Sequence, residues 1–196
     1  MHLNGCRSIA RCFIAWFVLL CAAAANCAQS PGSQPAASRP APGQAADWKN
    51  YSFPADGFSA SFPTEPVTEK RSVATDAGTF ELRTYLAAND TVALYIGVCD
   101  YGDAAKGGDS DAILEGAKNG AVSNINAHLI ESGKVTLGIY PGVTFEAAGE
   151  GTHLFGRIYL VGSILYQTFV ALQSDRPFPD TTRFLDSFQV IPRTSP

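Results

Sequence analysis

The stretch His153–Gln173, HLFGRIYLVGSILYQTFVALQ, decides how this chain folds. Two apolar runs are interrupted by Gly162 and Ser163, a pair suited to a two-residue turn, so the runs read as an antiparallel hairpin. Pairing across that turn sets Val161, Tyr159 and Phe155 beside Ile164, Tyr166 and Val170 on one face. The opposite face holds Leu160, Ile158, Leu165, Phe169 and Ala171. An antiparallel sheet commonly turns one face to water. Here both faces are apolar, so the hairpin needs a cover on each side.

The flanking segments supply strands and two candidate covers. In FPADGFSASFPTEP (Phe53–Pro66), Phe58, Ala60 and Phe62 alternate with Ser59 and Ser61, which is the period of a strand opened by Asp56-Gly57 and closed by Pro63. Val67–Thr75 carries mixed charge, as an edge strand does. Strands over 79–86 and 91–99 follow, the second apolar on both faces. A helix starts near Ser110, with Asp109, Asp111 and Glu115 at its positive end. Leu114, Ala117, Ala121, Ile125 and Leu129 form its apolar stripe. Val135, Leu137 and Ile139 then run into YPGV, whose Pro141-Gly142 centre suits a type II turn, and Val143, Phe145 and Ala147 lie on the return strand. The second cover is a short helix beginning at Pro179-Asp180, with Phe184, Leu185 and Phe188 on its buried side. The expected fold class is α+β, an antiparallel β-sheet flanked by helices in an α/β/α sandwich.

Upstream, the chain changes character twice. Residues 1–28 read as a signal peptide: Arg7 and Arg11 precede an apolar run from Phe13 to Ala25, and small residues follow. Cleavage fits after Cys27, after Ala28 or within Ala22–Ala25, and an uncleaved membrane anchor is the competing reading. Residues 29–46, QSPGSQPAASRPAPGQAA, form a Pro/Ala-rich linker with no apolar face to bury. Residues 47–196 make a single domain. Cys6, Cys12, Cys21 and Cys27 all lie in the leader, so processing leaves Cys99 and no intramolecular disulfide. Cys27 is also a candidate for lipidation, although Asn26 stands where a small residue is usual. From Asp47 onward, 11 Lys and Arg face 18 Asp and Glu, a net charge of about −7 that disfavours nucleic acid and anionic membrane surfaces.

Candidate chemistry is sparse. No G-x-S-x-G occurs, and the nearest serine, Ser163, lies in a two-residue turn. Cys99 with His128 or His153 would make a thiol–imidazole pair, but a lone cysteine on an apolar strand ordinarily packs as a small hydrophobe. Asp100, Asp103, Asp109 and Asp111, with Tyr101 among them, offer oxygen ligands to a hard cation such as calcium. Their spacing fits no EF-hand, and a solvated loop ending in a helix cap explains them equally.

Three motifs carry a family resemblance: DGFSASFPTEP near the start of the domain, LYQTF in the hairpin and RFLDSFQV at its end. On these the body, over residues 47–192, resembles bacterial exported members of the PsbP-like superfamily. That superfamily takes its name from an extrinsic subunit of photosystem II and includes a Ran-binding nuclear import factor. The resemblance implies an antiparallel sheet sandwiched by helices, and neither a reaction nor any transferable functional residue. The expected function is a non-catalytic binding or assembly module of the bacterial cell envelope, periplasmic or secreted, working through a sheet edge, the acidic loop or a groove beside the helix. Its partner would be an envelope protein, with membrane contact only through a lipid on Cys27. The alternatives are an envelope hydrolase with an unrecognised site and a binder of a small apolar ligand between sheet and helix.

Overall fold

The computed structural model describes residues 47–75, 78–105, 107–149, 151–173 and 178–193. The expected leader, the linker and Cys27 lie outside the described residues. Ten strands and two helices follow in the order β1 (Lys49–Phe53), β2 (Phe58–Phe62), β3 (Val67–Thr75), β4 (Gly78–Ala88), β5 (Val92–Asp100), α1 (Ser110–Asn124), β6 (His128–Leu137), β7 (Tyr140–Gly149), β8 (Thr152–Val161), β9 (Ile164–Leu172), α2 (Thr181–Ser187) and β10 (Gln189–Val190). Seven strands form one antiparallel sheet in the order β3-β4-β5-β9-β8-β7-β6, and β1-β2-β10 form a second, smaller one.

The β8–β9 hairpin has the expected register, with Val161 opposite Ile164 and Tyr159 opposite Tyr166. Gly162 takes φ +61° as the first residue of the turn, a left-handed conformation that glycine adopts without strain. Its two faces feed two separate cores. One side packs Leu154, Ile158, Leu160, Leu165 and Phe169 against Leu114, Ala117 and Ala121 of α1. The other packs Tyr159, Tyr166 and Val170 against Phe58 and Phe62 of β2 and Phe184 and Leu185 of α2.

That second cover differs from a plain α/β/α sandwich. The larger sheet has helix α1 on one face, but mostly a three-stranded sheet on the other, with α2 beside it. Size explains the difference. A helix as short as α2 is about 10 Å long, whereas seven strands span about 29 Å across the ladder. The remaining apolar surface is closed by β2, whose Phe58, Ala60 and Phe62 are all fully buried.

Two local expectations are corrected. Helix α1 stops at Asn124, Asn126 turns the chain at φ +49°, and Leu129 belongs to β6 rather than to the helical stripe. The turn before β7 is Gly138-Ile139, not Pro141-Gly142. Gly138 takes φ +61° in the Gly-first pattern of a type II′ turn, which matches the twist of paired strands better than type II. Gly142 instead lies inside β7, where a Cβ would come 2.5 Å from the ring of Tyr159.

Candidate functional site between the first helix and the sheet edge

Asp100, Asp109 and Asp111 of the acidic loop are drawn into three different tasks. Asp100 ends β5 and accepts hydrogen bonds from Ser163 Oγ at 2.7 Å, Gly102 N at 3.0 Å and Arg193 Nη1 at 3.1 Å. Burial pushes its carboxyl up, but those three donors outweigh burial and hold it below its ordinary value. Asp103 is exposed in the short 3-10 turn Gly102–Ala105. Asp109 caps α1, accepting from Asp111 N at 3.0 Å. Asp111 is bridged by Lys134 Nζ at 2.6 Å, which raises the lysine's ammonium above its usual value. Tyr101, read as a loop residue, is buried edge-on to Phe80. Among the described residues, no three His, Cys, Asp or Glu side chains are gathered as metal ligands.

The thiol–imidazole pair is ruled out by register. Cys99 lies opposite Leu165 at one end of β9, and His153 lies opposite Leu172 at the other. Seven residues of strand separate those rows, about 23 Å. Cys99 is buried under α1, His153 is 2.7 Å from Glu146 and stacked on Phe155, and His128 is exposed on β6. Ser163 gives its hydroxyl to Asp100, tying the hairpin turn to β5.

What the structure brings together instead is a groove. Helix α1 lies over β7 and β8 and touches β6. Between it and the sheet edge is a cavity of about 360 Å³ lined by Asp111, Leu114, Glu115, Ser132, Lys134 and Val143. Its floor is apolar and its rim is charged. Beside it lies Lys118, only 5% exposed, with Nζ 2.7 Å from Glu115 Oε2 and 3.2 Å from Ser132 Oγ. Every cation here is matched to a carboxylate of α1. Sequence reasoning passed over Lys118, although a signal existed: it falls four residues after Leu114 and three before Ala121, inside the apolar stripe. A charge at such a position is held by neighbours that only the fold reveals.

A second polar cluster lies on the other face. Asp56, nearly fully buried in the β1–β2 turn, meets the Arg83 guanidinium and accepts the Tyr85 hydroxyl, while Tyr166 donates to its carbonyl at 2.8 Å. Burial pushes the Asp56 carboxyl up, against the pull of Arg83, Arg193 and Lys70. These contacts pin the small sheet to β4 and β9.

No protein-family model matches this chain, and no curated protein matches it in sequence. Its backbone does have a counterpart. The solution structure of cyanobacterial PsbP (CyanoP) from Synechocystis sp. superposes with a TM-score of 0.53 at 14% identity, covering 79% of this chain and 98% of that one. The fold is PsbP-like. At that identity the likeness speaks for the arrangement of strands and helices, and no side chain is carried across. Within this PsbP-like fold the α1–β6 groove is therefore judged on its own chemistry: apolar floor, matched charges, and an open strand edge along one wall.

Proposed function

We propose that this protein is a non-catalytic, exported binding or assembly module of the bacterial cell envelope, docking a protein partner along its α1–β6 side. One observation carries the reading. Strand β6 ends the seven-stranded sheet and exposes Leu129 (42%) and Ile130 (51%) just ahead of Ser132, which lines the groove. Apolar side chains next to an unpaired ladder are what a protein partner buries and what a solitary edge avoids. The charged groove supports docking over turnover, because its lysines are already held by carboxylates. The leader-like residues 1–28 support export, and among the described residues no helix is long and apolar enough to cross a membrane.

The test is site-specific photo-cross-linking in envelope preparations, with the reactive residue placed at Ile130 on β6 or at Thr68 on the opposite edge β3. A discrete adduct from Ile130 and none from Thr68 is expected. No adduct from either position, or the same adducts from both, sinks the assignment.

A further inference from the structure

Two of the chain's three histidines lie in one row of the large sheet. His128 opens β6 opposite Ala148 of β7, and on its other side Ala148 stands opposite His153 of β8. The next row sets Glu131 opposite Glu146, and Glu146 opposite Phe155. Residues directly opposite share a face, and Phe155 packs into the core under β2 and α2, so these side chains lie on the side away from α1. In a regular strand Glu131, three residues after His128, would point to the other face; the bulge between Leu129 and Glu131 brings it to this one.

Half of a ligand set is already closed. Glu146 Oε1 is 2.7 Å from His153 Nε2, and the His153 ring is stacked on Phe155 with centroids 4.6 Å apart. His128 is exposed, and the side chains as they stand do not form a cluster of three. Bringing His128 in takes rotation of an exposed side chain rather than movement of the backbone. The two histidines are two strand spacings apart, about 10 Å, with only the Ala148 methyl between them. An ion bound tetrahedrally by nitrogen and oxygen at about 2.0–2.1 Å would widen the Glu146–His153 contact to only about 3.3 Å. Charge favours a cation here as well. Glu131 and Glu146 face each other across the ladder, where like charges destabilise, and among the described residues neither has a lysine or arginine partner.

We propose that His128, Glu146 and His153 form a binding site for one divalent transition-metal ion of the zinc class. Two imidazole nitrogens and a carboxylate oxygen are a set that zinc accepts, and nitrogen donors select against calcium and magnesium. The ion takes the place of the Glu146–His153 hydrogen bond and ties the start of β6 to β7 and β8, with Glu131 adding negative charge beside it. The site lies on the opposite face from the α1 groove and goes beyond the docking reading.

The test is isothermal titration calorimetry of the full chain with zinc chloride, the cysteines of residues 1–28 first alkylated so that they do not compete. Uptake of one ion per chain is expected, and calcium chloride at the same concentration should give none. His128→Ala and Glu146→Gln should each weaken zinc binding about tenfold or more. His128 is exposed, so its loss leaves the fold intact, and zinc should raise the melting temperature of His128→Ala less than that of the unmodified chain. The inference is overturned if zinc does not bind, if both variants bind it as tightly as the unmodified chain, or if calcium binds equally well.

Discussion

Lys118→Met exchanges a buried ammonium for a thioether of similar length and equal helix propensity. Lys118 is 5% exposed, so its charge has lost nearly all its water. What it regains is limited. Glu115 is half exposed, which screens the pair to about 0.5 kcal/mol, and the 3.2 Å contact to Ser132 adds about 1 kcal/mol. The effective cost of desolvating an ammonium is several kcal/mol, so the charge is retained at a net loss. Methionine keeps the contacts of the aliphatic stem and removes that loss, while Glu115 and Ser132 can turn to solvent. The variant should therefore be more stable by about 1 kcal/mol, raising the melting temperature by about 2–4 °C for a domain of this size. Urea unfolding should show a higher midpoint with an unchanged slope. Glu115→Gln, which strands the ammonium, should move the midpoint the other way. A loss above about 1 kcal/mol in Lys118→Met would refute the reasoning, because the lysine would then be a structural asset.

Gly156→Ala should be destabilising by about 1–3 kcal/mol, read as a lowered urea midpoint. Its new Cβ would sit 2.4 Å from Phe145 and 3.0 Å from Phe169, two buried rings with no room to swing aside. Asp100→Asn should cost about 1 kcal/mol at neutral pH by weakening the latch from Ser163, Gly102 and Arg193. The sign follows from linkage. A carboxyl held below its ordinary 3.8 adds stability that is present above that value and lost as pH falls through the folded value. Urea midpoints of variant and parent should begin to converge as pH falls below about 3.8 and meet once it has passed the lower folded value, and a gap that persists there would exclude the mechanism. Asp56 has the opposite sign: its raised carboxyl carries a penalty at neutral pH that is relieved on acidification, in both proteins alike.

The apolar hairpin and the start of α1 were legible because their signals are local: period-two alternation around Gly162-Ser163, and an acidic cap before a stripe. The end of α1 was not, since Leu129 continues the helical spacing by coincidence while Asn126 has already turned the chain. The small sheet was only half legible. Phe58, Ala60 and Phe62 announce β2, but β10 is two residues long, and β1, KNYSF, has no clean buried face. The site was the least legible part. The cluster of aspartates drew the eye, yet Asp100 is spent on Ser163 and Arg193, 63 and 93 residues away, and Asp111 on Lys134.

A chain carrying both apolar faces of His153–Gln173 must become the middle layer of something, and its residues alone dictate that much, because side-chain alternation needs no distant information. Which elements cover those faces, and which charges meet at β6, was settled only when strands far apart in the chain came into register. Position along the chain carries no record of such pairing; a one-residue slip would exchange every neighbour described above.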